Sequence, residues 1–157
     1  NAEPADQGNR IKREFIVKKF DFENAGRASF ELKKVLQSIN SPRQIIRRAA
    51  VAAYELEINI AIHSDGGVIT FEIDDKKILI TARDKGPGIE DIDLALQPGY
   101  STASDWIRSL GFGAGMGLAN TKKVSDEFVI ESSSKTGSFI QSTIFIQPAE
   151  ELKAAAG

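Results

Sequence analysis

Asp84-Lys85-Gly86-Pro87-Gly88-Ile89 places one carboxylate at the edge of a turn that carries almost no side chains. Glycine admits backbone conformations and close approaches that a side chain forbids, and proline stiffens the turn. The segment can therefore present a fixed acceptor beside a bare platform, although the same residues also suit a plain strand exit. A second chemical pair lies upstream. Glu55 and Asn59 fall on a common stripe if Ala49 to Ile62 is helical. The Asn59 carboxamide oxygen is a ligand for a hard cation such as magnesium, and Glu55 can orient or deprotonate a nucleophile. Together they offer what a nucleotide–magnesium site needs, whereas Glu57 faces elsewhere and is left out. A third segment alternates glycine with other residues at Gly111, Gly113, Gly115 and Gly117. It reads as a mobile loop running into a helix that begins near Gly115 to Gly117, whose free N–H groups and dipole suit phosphate oxygens. No Gly-Lys-Ser or Gly-Lys-Thr closes it, so it is not a Walker A loop, and it does not follow a strand as a dinucleotide fingerprint would.

Several elements must hold these residues. Glu14 to Lys19 reads as a strand. A helix from about Glu23 to Ile39, capped by Asp21 or Asn24, buries Ala28, Leu32, Val35, Leu36 and Ile39. Ser41-Pro42 starts a second helix, which runs to about Ile62. Its buried face is Ile45, Ala49, Ala52, Leu56 and Ile60, with Glu55 and Asn59 beside it. Asp65-Gly66-Gly67 ends that helix, and Val68 to Ile73 and Lys77 to Arg83 form a hairpin across Asp74-Asp75-Lys76. A short helix spans Glu90 to Leu96, a lid spans 97–114, and a third long helix spans Met116 to Ser125. Two strands, Glu127 to Ser132 and Ser138 to Gln147, finish the domain. This order predicts an α+β fold: a two-layer sandwich with a mixed, mostly antiparallel sheet and helices on one face.

Taken in order, Glu55-x-x-x-Asn59, Asp84-x-Gly86-x-Gly88 and Gly113-x-Gly115-x-Gly117 resemble the motifs of the Bergerat-fold (GHKL) superfamily of ATPases and kinases, which includes gyrase and the histidine kinases. The runs Asp84 to Gln97, Gly99 to Thr102, Gly113 to Leu118 and Lys122 to Phe128 are most similar to its bacterial serine/threonine kinase branch, the anti-sigma factors and the stressosome switch kinases. The likeness covers about Phe15 to Ile146. It implies an ATP site. Asp84 would accept a hydrogen bond from the exocyclic amine of adenine, with Gly86, Gly88 and Ile89 against the base. Asn59 would hold Mg2+ on the phosphates. Thr102, Gly113, Ala114, Gly115, Met116, Gly117 and Leu118 would wrap the nucleotide, and Glu55 would be the catalytic base. Relatives place a Gly-Thr pair near the last strand. Its counterpart here is Gly137-Ser138, with Thr143 as a further candidate for the hydroxyl.

The resemblance implies a serine/threonine protein kinase that phosphorylates a small STAS-like partner. The alternative is a nucleotide-gated binding module that grips a sigma-like regulator with slow or no ATP hydrolysis, and a homodimer is compatible with either. A histidine-kinase domain fits less well, because no dimerisation helix with a phospho-accepting histidine precedes Glu55 and His63 follows it.

Composition is consistent with these expectations. The 157 residues suit one domain at 11–148, with flexible tails at 1–10 and 149–157. A net charge of −2 gives no general attraction to nucleic acid or acidic membranes. Arg10 to Arg13, Lys18-Lys19, Arg43, Arg47 and Arg48 read as solvated faces. There is no cysteine, hence no disulfide and no cysteine metal site. No apolar run is long enough to span a bilayer and no signal peptide is evident, so the expected location is the cytoplasm. Trp106 and Arg108 stand in the lid, where Trp106 is either lid core or a partner contact.

Overall fold

The computed structural model describes residues 10–89, 92–98, 117–133 and 135–146. In chain order the elements are β1 (Ile11–Val17), α1 (Arg27–Ser38), α2 (Arg43–His63), β2 (Gly67–Ile73), β3 (Lys77–Asp84), α3 (Ile92–Ala95), α4 (Gly117–Val124), β4 (Glu127–Ser133) and β5 (Gly137–Phe145). The strands form one sheet in the order β1-β2-β3-β5-β4. All four of its described pairings are antiparallel.

The strand period of two decides which residues meet the helices. Ile69, Phe71 and Ile73 of β2, Ile78, Ile80 and Ala82 of β3, and Ile140 and Ile144 of β5 are buried on one face. Against them lie Leu32 and Leu36 of α1, and Ile45, Ala49, Ala52, Ala53, Leu56 and Ile60 of α2. Alanines at three of the α2 contact positions let that long helix lie close to the sheet. The other sheet face is open: Ile16 is 69% exposed, Val129 is 43% exposed, and the Arg83 guanidinium sits 4.5 Å over the Phe139 ring.

Following the same parity to one end of the sheet locates the polar residues. Ala82 pairs with Ile140, and Ile140 with Ile130; the next same-face residues are Asp84, Ser138 and Ser132. Three apolar rows thus each end in a polar side chain on the helix-facing side. β3 runs one residue past its expected end, so Asp84 closes the strand instead of following it.

Other boundaries also differ from expectation. β1 covers Ile11–Val17 and not Glu14 to Lys19, because its full pairing with β2 begins at Ile11 opposite Ile73. α1 starts at Arg27, not Glu23, and neither Asp21 nor Asn24 caps it. Asp21 instead accepts from the backbone and side-chain N–H groups of Asn24. The N-cap is Gly26, which has no side-chain oxygen to offer. The acceptor comes from α2: Glu57, 1% exposed, takes the Ala28 N–H at 3.1 Å. Burial pushes this carboxyl above the ordinary range, and the N–H groups of Ala28, Gly26 and Arg27 with the Arg27 charge partly offset it. One helix thereby caps another, satisfying donors that every helix start leaves unpaired.

Arg48 departs from the expected solvated face. Its Nε donates to the Val124 carbonyl at the end of α4 at 2.9 Å, and its Nη2 lies 3.1 Å from Asp126. A cation at a helix C-terminus opposes the negative dipole end. Asp126 also accepts the Phe145 N–H, so Arg48 ties α2 to both α4 and the last hairpin. No helix among the described residues is long and apolar enough to cross a membrane.

Replacing Glu57 tests the inter-helix cap. Glu57→Ala strands buried N–H groups at the start of α1 and should lower unfolding free energy by about 1–3 kcal/mol. Glu57→Gln keeps an acceptor and should lose less. Urea unfolding of the two variants gives the comparison, and equal midpoints for Glu57→Ala and the parent protein would show that α1 does not depend on this carboxylate.

Candidate functional site

Asp84 stands where β3 meets the start of β5. The Ser138 N–H donates to its Oδ1 at 3.0 Å. This contact needs glycine at 137, where φ is +92° and a Cβ would fall 2.1 Å from the Asp84 carbonyl oxygen. Burial raises the Asp84 carboxyl above its ordinary range; the Ser138 N–H opposes that, and the nearby Asp65 charge adds to it. The turn that follows is fastened to the end of α2, since the Asp65 N–H donates to Lys85 O at 2.7 Å and the Lys85 N–H to Gly66 O at 2.9 Å.

Gly88 is the point of closest approach on the turn's other side. Its φ is +75°, and a Cβ there would lie 2.7 Å from both Ser132 Oγ and the Ser133 carbonyl oxygen. Next to it the Ile89 N–H donates to Ser132 Oγ, which in turn lies 3.3 Å from Ser138 Oγ. A cavity of about 460 Å³ opens here. It is lined by Asp84, Ser132 and Ser138 together with Arg83, Glu131 and Phe139 of the open face, so it wraps round the sheet end.

The second part of the site is on α2 and α4. Glu55 and Asn59 share a half-buried stripe of α2. The Glu55 carboxyl is raised above its ordinary range by burial. A Cβ on Gly117 would come within 2.9 Å of Glu55 Oε2, so the first turn of α4 abuts this carboxylate. With Val124 bonded to Arg48 and Gly117 beside Glu55, α4 runs antiparallel to α2. Along α2, Asn59 follows Glu55 by one turn, and the helix ends at His63 just before the Asp65–Lys85 contact. One helix thus spans from the N-terminus of α4 to the Asp84 turn.

Of the residues expected in a site, the structure gathers Asp84, Gly86, Gly88, Ile89 and Ser138 at the sheet end, and Glu55 with Gly117 at the helix pair. The Leu118 side chain lies in the core at 8% exposure, so only its main chain is open to a ligand. Thr143 is on the opposite sheet parity from Ser138, paired with Leu79, and its hydroxyl does not face this region. Thr102, Gly113, Ala114, Gly115 and Met116, most of the lid with Trp106, and both tails except Arg10 lie outside the described residues. Among the described residues no three His, Cys, Asp or Glu side chains cluster to hold a metal. A cation here would rest on Asn59 and on oxygens brought by the ligand, which suits magnesium, an ion that keeps few protein ligands. Sequence reasoning missed Ser132, although the β4 alternation Phe128, Ile130, Ser132 ends on it just as the β3 alternation ends on Asp84.

The family described as "Histidine kinase-, DNA gyrase B-, and HSP90-like ATPase" matches residues 42–148. The chain is 31% identical to the anti-sigma F factor of Clostridium novyi (strain NT) over 139 residues, covering 85% of this chain and 92% of that protein. It is 36% identical to the serine/threonine-protein kinase RsbT of Bacillus subtilis (strain 168) over 98 residues, covering 60% of this chain and 68% of the relative. A crystal structure of RsbU and RsbW domains from Mycobacterium tuberculosis shares the fold, with a TM-score of 0.55 at 18% identity, over 87% of this chain and 34% of that one.

The raised carboxyl of Glu55 has a consequence for stability. A folded-state pKa above the ordinary 4.5 means that the native protein binds this proton more tightly than the unfolded chain does. Its stabilising effect is present at low pH and is lost as pH rises through the folded value. Glu55→Gln should therefore raise the thermal midpoint at pH 7, and the gain should vanish below about pH 4.5. A midpoint unchanged or lowered at pH 7 would mean that Glu55 is not desolvated.

Proposed function

The chain belongs to the histidine kinase-, DNA gyrase B- and HSP90-like ATPase family, and we propose that it works as an ATP-dependent serine/threonine protein kinase of the anti-sigma-factor and switch-kinase type. The observation that carries this reading is the contact of Glu55 with the first turn of α4. It sets a carboxylate of raised basicity beside the N-terminus that suits a phosphate group.

In this reading adenine lies against Gly86, Gly88 and Ile89, and its exocyclic amine donates to Asp84. Guanine would bring a carbonyl to the same place and be repelled. Magnesium held by Asn59 and the phosphate oxygens would neutralise charge on the phosphates. The main-chain N–H groups at Gly117 and Leu118, with those of Gly113 to Met116, cradle the β- and γ-phosphates. Glu55 accepts the proton of a serine or threonine hydroxyl on the acceptor protein. The hydroxyl oxygen bonds to the γ-phosphorus, the bond to the β–γ bridging oxygen breaks, and ADP leaves. Glu55 then releases the proton to solvent. Burial raises the Glu55 pKa, which makes it a better base than an exposed glutamate.

The names of the relatives, an anti-sigma factor and a serine/threonine-protein kinase, support a protein as both acceptor and regulator. A small STAS-like domain is the acceptor we propose.

Transfer from γ-labelled ATP to candidate STAS proteins, with calorimetry alongside, tests the division of roles. Glu55→Ala should bind ATP within a few-fold of the parent and lose roughly 10²–10⁴ in transfer rate. Asn59→Ala should weaken magnesium-dependent ATP binding itself. Asp84→Asn reverses one hydrogen-bond direction and should lose about 1–3 kcal/mol of ATP binding. Equal loss of binding in Glu55→Ala and Asn59→Ala would make Glu55 structural, and undiminished transfer by Glu55→Ala would remove it as the base.

A further inference from the structure

Ser132 stands outside the family motifs, yet it touches both halves of the base platform. Its Oγ accepts the Ile89 N–H from one side and lies 3.3 Å from Ser138 Oγ on the other. A Cβ on Gly88 would meet the same oxygen at 2.7 Å, so the hydroxyl is wedged against the turn. Ser138 in turn donates its main-chain N–H to Asp84. Ile89, Ser132, Ser138 and Asp84 therefore form one connected polar chain across the ends of β3, β5 and β4.

We infer that Ser132 is a specificity-determining positioning residue, which donates its hydroxyl hydrogen to Ser138 Oγ and so leaves the Ser138 hydroxyl to donate into the base pocket. The inference rests on the adenine reading of the Asp84 site. A serine hydroxyl has one hydrogen and two lone pairs. The Ile89 N–H takes one lone pair of Ser132, and among the described residues the other hydrogen-bond neighbour of this hydroxyl is Ser138 Oγ. If Ser138 donated to Ser132 instead, Ser138 would present lone pairs to the pocket beside the acceptor Asp84. Two acceptors side by side repel the lone pair of a purine ring nitrogen. With Ser132 as donor, Asp84 and Ser138 offer an acceptor next to a donor. That pair complements adenine, which carries an amine next to an unprotonated ring nitrogen. Guanine presents a carbonyl next to a ring N–H and is mismatched at both positions.

The role is tested by calorimetric titration of the full chain with ATP and with GTP, in the presence of magnesium. The proteins are the parent, Ser132→Ala, Ser138→Ala and the double variant. Because ATP and GTP share ribose and phosphates, a loose fold lowers both affinities together and leaves their ratio unchanged. Ser132→Ala should narrow the ATP-over-GTP preference about three- to tenfold, the amount one hydrogen bond typically contributes. Ser138→Ala should do the same, and the double variant should narrow it no further, since the two hydroxyls act as one unit. Ser132→Cys keeps a side chain of similar shape with only a weak donor, and should narrow the preference as well if Ser132→Ala fails to fold. An unchanged ratio in Ser132→Ala, or additive losses in the double variant, would reduce Ser132 to a brace for the turn and overturn the inference while leaving the nucleotide site intact. A parent protein that binds neither nucleotide, or both equally, would overturn the adenine reading and this role with it.

Discussion

The Ser138 N–H that lands on the Asp84 carboxylate is the contact on which the site depends. It requires the β5 backbone to pass so close to the end of β3 that only glycine fits at 137. It also holds the orientation of a carboxylate whose pKa burial raises, and it offsets part of that rise. A carboxylate with one lone pair engaged in this way is held in a fixed orientation and keeps acceptor sites for a further hydrogen bond. That is the property a base-reading group needs, and it follows from sheet register: the parity that buries Ile78, Ile80 and Ala82 aims Asp84 at the helices.

α2 does the complementary work. Its apolar stripe packs on the sheet, and the residues flanking that stripe each reach a different structure. Arg48 holds the end of α4, Glu55 meets the start of α4, and Glu57 caps α1. Asn59 lies one turn beyond Glu55, and the segment after His63 fastens the Asp84 turn. The distance from the start of α4 to the Asp84 turn is thus set by the rise of one helix, which is stiff. Glu55 and Glu57, two carboxyls whose pKa burial raises, both lie on this helix. Their cost is borne by a helix anchored along its length, and a function that needs such groups commonly lowers stability.

Much of the site was legible in the sequence because its signals are local. Glu55 and Asn59 declare themselves by helical spacing, and Asp84 with Gly86 and Gly88 by a turn that tolerates no bulk. What was not legible depends on contacts between distant segments. Nothing near residue 27 announces that α1 is capped by Glu57, so a local cap at Asp21 or Asn24 was the natural expectation. Arg48 resembled any charge on a helix edge until α4 arrived against it. Ser132 is an ordinary strand serine whose meaning comes from the Gly88 turn, more than forty residues earlier in the chain. The β1 boundary shifted for the same reason: an edge strand with weak alternation takes its limits from its partner.

Removing the amine from the ligand, with the protein left untouched, shows whether Asp84 reads adenine. Purine riboside triphosphate matches ATP except for the exocyclic amine, so titrating both against the parent protein isolates the hydrogen bond to Asp84. ATP should bind about ten- to a hundredfold more tightly, a difference of about 1.4–2.8 kcal/mol, and Asp84→Ala should abolish the difference. Equal affinity of the parent protein for the two triphosphates would contradict the assignment of Asp84 as the group that reads adenine.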